Sequence, residues 1–295
     1  MPSSSSFLAL PRELRNSIYE YALTSTTGLY YREPSELDHE YKNTKPKSYQ
    51  KPRIRKPILY IRHYETHDIR ASDEFNQLAY VNRQIRAETT TQELKYNKIH
   101  FRRHRDDQRL ASLQLISFLK CRSVTTAPWP IEIAITDFDT EQVPIELLAL
   151  QVTMQHGTEL NRLCSERPNV SVQFTLSGWR GAKDNTKACM SFFVVLGICL
   201  MDALRGKQAS PCLLRPGSRC QTRVNKILKS ITKDRLQGDG DGMLTRAANL
   251  RVVPDEGTVW DEEKWLAFMD GEGGADYFHR EETLEQVKRW IEEGI

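Results

Sequence analysis

Two acidic stretches, two histidine pairs and six scattered cysteines are the residues whose types and spacing could do chemistry in this chain. Thr136-Asp137-Phe138-Asp139-Thr140 follows a hydrophobic strand, and Gly238-Asp239-Gly240-Asp241-Gly242 comes roughly 100 residues later. Carboxylates are side chains that can serve as nucleophile, as acid and base, or as magnesium ligands. Thr140 is adjacent to Asp139 and Glu141 follows; Ile231 to Gln237 is too polar for a buried strand, and Gly242 supplies no acid. Read as a calcium loop, the glycine run puts Gln237 first and Ala248 last, where a carboxylate and a bidentate Glu are needed. A flexible turn is the better reading.

His63 with His67, and His100 with His104, are four apart, a spacing that on a helix sets two imidazoles on one face for a metal. Neither segment reads as helix. Glu65 falls in the order His-x-Glu-x-His, not directly after the first His, and the arginines flanking His100 discourage a cation. Cys121, Cys164, Cys189, Cys199, Cys212 and Cys220 contain no Cys-x-x-Cys pair, which argues against a zinc ribbon and leaves them as small buried hydrophobes. No phosphate loop, dinucleotide-binding turn or nucleophile elbow is present. The order of the two acidic stretches is similar to that of haloacid-dehalogenase-type phosphatases; the resemblance implies that Asp137 attacks phosphorus, that Asp139 acts as acid and base, and that the later Gly-Asp run holds magnesium, although Glu141 stands where that family has a Thr. A metal-dependent phosphatase is kept as the alternative enzyme reading. The leading expectation is a protein with no catalytic residue, no metal and no cofactor.

The elements that would position these residues come from periodicity. Phe7 to Leu23 places Leu10, Leu14, Ile18 and Tyr21 at helical spacing. Phe75 to Leu94 reads as a second amphipathic helix, with Leu78, Val81 and Ile85 on one face. Asp107 to Lys120, Pro144 to Glu166 and Thr186 to Leu204 also read as helices, the last largely apolar and central. Ile131 to Thr136 and Val170 to Leu176 alternate apolar with polar residues, the pattern of strands with one buried face. A short strand is expected at Ile58 to Ile61. Beyond Arg205 only short helices are expected, around Thr222 to Lys233, Asp261 to Met269 and Glu281 to Glu293. No repeat of fixed period is visible.

A chain of 295 residues with 39% hydrophobic and 27% charged residues has an ordinary globular composition. The longest apolar run, Cys189 to Met201, is broken by Ser191 and Gly197 and falls short of the roughly 20 residues that cross a bilayer. The N-terminus has no basic n-region, so the expected address is intracellular, cytoplasm or nucleus, with no membrane partner. From Arg251 onward 13 acids face 5 bases, which leaves residues 1–250 at +11 in a chain of net charge +3. The densest basic patch includes Lys45, Lys47, Lys51, Arg53, Arg55 and Lys56, in a proline-punctuated stretch that reads as an extended loop. A basic-loop nucleic-acid-binding nuclear protein is therefore a further alternative. Nucleic acid is not the expected partner, because no base-stacking aromatic motif accompanies the charge.

The segment Phe7-Leu-Ala-Leu-Pro-Arg-Glu-Leu-Arg-Asn-Ser-Ile-Tyr-Glu-Tyr-Ala-Leu23 resembles the first helix of the F-box-like domains of filamentous fungi, whose pattern is Leu-Pro-x-Glu-Leu-Arg-x-x-Ile-Tyr. Leu78-Ala-Tyr-Val-Asn-Arg-Gln-Ile-Arg-Ala-Glu88, running on to Tyr96, Asn97 and Phe101, resembles that family's second signature, Val-Cys-Arg-Gln-Ile-Arg-x-Glu followed by Tyr-x-x-Asn-x-Phe. Together they cover about 40 residues. The resemblance implies that Leu10, Pro11, Leu14 and Ile18, with Val81 and Ile85, form a helical surface docking on a Skp1-type adaptor, so that the chain brings substrates to a cullin-RING ubiquitin ligase. More than 50 residues separate the two signatures here, and Asn82 stands where Cys is usual. Such an apolar face is either docked on another chain or covered by the rest of this one. The expected fold is mixed α/β (α+β): an F-box-like helical module over residues 1–101 with a basic insertion at 24–74, an α/β body of alternating strands and helices around a small, partly parallel sheet over 102–206, and a loop-rich region over 207–295.

Overall fold

Alternation of apolar and polar residues along the strands dictates a sheet with one wet and one dry face, and the computed structural model has that sheet. It describes residues 7–32, 58–61, 74–102, 111–120, 124, 127–137, 157–176, 179, 187–205, 210–237, 247–254, 258–271 and 274–295. Six strands, β1 (Leu29–Arg32), β2 (Ile58–Tyr60), β3 (Ile99–Arg102), β4 (Ile131–Asp137), β5 (Val170–Leu176) and β6 (Leu250–Val253), lie in the order β2-β1-β3-β4-β5-β6. Only the β1–β2 pair is antiparallel. The fold is mixed α/β, with strands and helices alternating around a mostly parallel sheet. Its strands come from all three segments into which the sequence divides, and one hydrophobic core runs beneath them.

The helices are α1 (Arg12–Ala22), α2 (Arg83–Thr89), α3 (Gln92–Tyr96), α4 (Ala111–Lys120), α5 (Gly157–Ser165), α6 (Lys187–Arg205), α7 (Ser210–Leu213), α8 (Arg219–Gln237), α9 (Glu262–Asp270) and α10 (Arg280–Glu292). Single 3-10 turns stand at Phe7–Ala9 and Gln77–Tyr80. The long helix expected from Phe75 to Leu94 is broken twice, for local reasons. The Asn82 side chain accepts the Ile85 N–H at 2.8 Å and starts α2 as an N-cap, and Thr91 adopts φ +68° before α3.

Every sheet residue in the main core belongs to the same alternating set, from Leu29 and Tyr31 through Ile99, Phe101, Ile133, Val172 and Phe174 to Val252. Helix α6 meets α8, α9 and α10 and is buried at every position from Phe193 to Leu200, as a helix enclosed on all sides must be apolar all round. Trp179 stacks on Phe193 with ring centroids 4.8 Å apart and donates its indole N–H to the Phe193 carbonyl. Trp290 of α10 lies so close to Gly197 that a Cβ there would meet its ring at 2.4 Å. At the far edge, Ile295 exchanges both backbone hydrogen bonds with Val252, each 2.7 Å, and covers β6.

The entries to β5 and β6 share one device. Asn169 and Asn249 each stand immediately before their strand, and each side chain donates to carbonyls of the preceding unit. Asn169 reaches Ala127 and Trp129, while Asn249 reaches Cys164, Arg167 and Val170. Their own carbonyls accept the N–H groups of Ile131 and Val172, both at 2.8 Å. A tight turn closed by one amide thus registers each unit on its predecessor. No helix among the described residues is long and apolar enough to cross a membrane.

Asn249→Ala should destabilise the fold by about 1–3 kcal/mol through the carbonyls it strands. Asn249→Asp should be at least as damaging, because it sets a carboxylate against three carbonyl oxygens. Denaturant midpoints of the full chain measure both. Gly197→Ala should cost about 1–3 kcal/mol by overpacking against Trp290, read in the same titration.

Candidate docking face

Helix α1 carries two stripes about 100° apart, as 3.6 residues per turn requires of adjacent positions. Arg15, Tyr19 and Leu23 point inward, and Tyr19 and Leu23 form a small separate core with Ile85, against which Phe7, Leu78, Phe75 and Tyr96 pack. Phe7 meets the Tyr19 ring edge-on at 5.8 Å. Leu14, Ile18 and Tyr21, at helical spacings of four and three, form the second stripe.

An ion pair fixes the choice between the stripes. Arg15 grips Glu88 of α2 with both Nε (3.0 Å) and Nη2 (2.8 Å), while its Nη1 donates to the carbonyls of Leu8 (3.2 Å) and Leu10 (2.6 Å). Glu88 also accepts the Tyr19 hydroxyl at 2.8 Å and the Gln84 amide at 3.0 Å. The Arg15 guanidinium, aided by Gln84 and Tyr19, holds the Glu88 carboxyl down at about 2. Burial pushes the Tyr19 phenol up, and its hydrogen bond to Glu88 adds to the shift. Bidentate, charge-assisted bonds of this kind fix orientation as well as distance.

The exit of α1 is held by Asn97, whose Oδ1 accepts the Ser25 N–H at 2.6 Å and whose Nδ2 donates to the carbonyls of Leu23 (2.6 Å) and Glu93 (2.8 Å). Asn76 donates to the Thr89 carbonyl and to the Glu93 carboxylate, a group whose proton affinity is raised by burial.

Among the described residues, six large hydrophobic side chains stand exposed, and five belong to this module: Leu14 at 53%, Ile18 at 43%, Tyr21 at 88%, Tyr80 at 58% and Val81 at 62%. The sixth, Val259, is isolated from them in sequence. The structure thus leaves Leu14, Ile18 and Val81 outward, with Pro11 exposed and Leu10 half-buried. Ile85 requires a correction. It is 6% exposed and packs with Tyr19 and Leu23, because it falls on the side of α2 that faces α1. Tyr21 and Tyr80, not among the expected residues, join the exposed set, and Tyr80 donates its hydroxyl to Glu74. The sequence did carry a signal for the ion-pair network: Arg15 and Tyr19 fall in the first of the two segments singled out above, and Gln84 and Glu88 in the second.

Other candidates separate from this face. Lys45, Lys47, Lys51, Arg53, Arg55 and Lys56 lie outside the described residues, as do His63, His67, His104, Asp139, Asp239, Asp241 and Cys121. Asp137 ends β4, and His100 stacks on Tyr30 at 5.0 Å. Cys164 and Cys199 are fully buried, and desolvation pushes their thiols up to about 12, far from a reactive thiolate. No group of three His, Cys, Asp or Glu side chains able to hold a metal occurs among the described residues. Comparison with protein-family models, curated proteins and solved structures returns no match.

Because the Glu88 carboxyl falls from its ordinary 4.5 to about 2 on folding, its contribution to stability is fully present above 4.5 and is lost as pH drops toward 2. Thermal melts of wild type and Glu88→Gln should therefore differ most above pH 4.5 and converge as pH falls through that window. A difference that stays constant across the window would exclude this role for the pair.

Proposed function

We propose that this chain is a non-catalytic interaction protein: an F-box-like substrate receptor whose first helix docks on a Skp1-type adaptor and so brings a substrate protein to a cullin-RING ubiquitin ligase. One observation carries the reading: the exposed apolar stripe of Leu14, Ile18 and Tyr21 on a helix whose other side is locked by Arg15 and Glu88. A helix needs only one apolar face to fold onto its own domain, and α1 has that in Tyr19 and Leu23. The second stripe adds nothing to the fold and is the kind of surface that a helix-binding groove covers. Burying a side chain such as Leu14 or Ile18 in a partner contributes about 1.5–3 kcal/mol, enough to make each an anchor.

Full-length protein should capture a purified Skp1-type adaptor. Leu14→Asp or Ile18→Asp should weaken capture by at least about tenfold, the scale of an interface anchor, while the circular dichroism melt stays that of wild type. Ile85→Asp should instead unfold the module, since Ile85 is core. Retention of the adaptor no greater than on a blank surface, with the protein folded, would retire the ligase reading.

A further inference from the structure

The sheet itself presents a second surface. Parallel sheets are ordinarily covered on both faces; here the main core takes one alternating set from every strand, and on the other set Tyr60, Ala134 and Thr175 are buried while the positions around them stand partly or fully open. The other set forms a cross-strand row, Tyr60–Tyr30–His100–Ala134–Gln173–Arg251, fixed by the strand register. Glu132, Ser171, Gln173, Arg102 and Arg251 on this face are exposed.

Its charge is one-sided. Arg32, Lys98, Arg102 and Arg251 stand against the single acid Glu132. Among the described residues none of the four makes an ion pair, unlike Arg162, Lys264, Arg280 and Arg289. Lys98 reaches only the Gln173 amide, at 3.3 Å, and Arg251 donates only to the backbone carbonyl of Glu293. Arg32 adds a second observation: its Nε is buried without an acceptor, an orphaned donor on a cation. We infer that the exposed part of this face docks an acidic, extended segment of a partner protein, with Arg102 and Arg251 as its principal anchors.

The dimensions suit that occupant. Strands about 4.8 Å apart put β3 and β6 about 14 Å from each other, and an extended peptide rising about 3.3 Å per residue crosses that gap in four or five residues. Carboxylates near its two ends then meet Arg102 and Arg251, while Gln173, level with Arg251 on the neighbouring strand, offers a hydrogen bond between them. Single-stranded nucleic acid fits less well. Base binding on a sheet needs aromatic faces free to stack, but Tyr30 and His100 are stacked on each other, 23° from parallel, and Glu132 repels phosphate. This inference is independent of the adaptor reading, because it concerns another surface and its test contains no adaptor.

A random dodecapeptide library panned against the immobilised full-length chain should yield a pool enriched in Asp and Glu. Synthetic peptides from that pool should bind at least about tenfold more weakly to the Arg102→Glu/Arg251→Glu protein, and to a second variant, Lys98→Glu/Arg102→Glu, as expected for desolvated charge pairs. Leu14→Asp should leave their binding unchanged. These side chains are exposed or half-exposed, so circular dichroism should show both variants folded. A pool without acidic enrichment, or equal binding to the folded charge-reversed proteins, overturns the inference. So does a random single-stranded RNA pool that displaces the peptides and needs the same arginines, since the face would then be a general polyanion surface.

Discussion

A bidentate ion pair joining residues 73 positions apart decides what the first helix shows to solvent. Without Arg15 on Glu88, α1 has two apolar stripes of similar width and little to choose between them. With it, rotation about the helix axis is fixed: the guanidinium also draws the Phe7–Leu10 turn back through two carbonyls, and the Tyr19 hydroxyl adds a third bond on the same carboxylate. The pair is only partly buried, with side-chain exposures of 10% and 17%, so its desolvation penalty is modest while its geometry remains specific. Orientation, more than bulk stability, is what such a contact contributes to a small module.

Single-sided burial is the second constraint. The parallel strands β1, β3, β4, β5 and β6 succeed each other across the sheet in chain order, and each gives one alternating set of side chains to the main core. The core therefore grows outward in one direction, from the strands through α6 to the aromatic group of Trp179, Phe193, Trp265 and Trp290. Ile295 occupies the free edge of β6 that would otherwise be open to another strand.

Much of this was legible where periodicity was long. Ile131 to Thr136, Val170 to Leu176 and Thr186 to Leu204 became β4, β5 and α6 within a residue or two, because alternation and helical spacing over seven or more residues leave few options. The four-residue strands β1 and β6 were not foreseen. Leu-Tyr-Tyr-Arg and Leu-Arg-Val-Val are too short to display a period, and their pairing comes from neighbours far away in sequence. The paired asparagines escaped for another reason: Arg167-Pro-Asn169 and Ala247-Ala-Asn249 share one residue and a conformation, not a sequence. In the docking module, reading all the apolar letters as one face merged two stripes. Tertiary contacts, the Tyr19–Leu23–Ile85 cluster and the Arg15–Glu88 pair, separate Ile85 from Leu14.

The two exposed surfaces are parts of one body. Helix α1 passes into β1 through Thr24 to Gly28, and that turn is pinned where Asn97 bonds Leu23 and Ser25 just before β3. Gly28 lies against His100 so closely that a Cβ would sit 2.6 Å from its imidazole, and Phe75 packs against both the small module core and the main one. A stripe on α1 and a face on β3 are thus linked through buried hydrogen bonds instead of a flexible linker. A protein joined to both surfaces would hold its two partners at a set separation and angle, which raises the effective concentration of one at the other and removes the entropy that a tether would cost. Rigidity between the exposed stripe and the sheet is therefore set where the Asn97 amide bonds Leu23, Ser25 and Glu93.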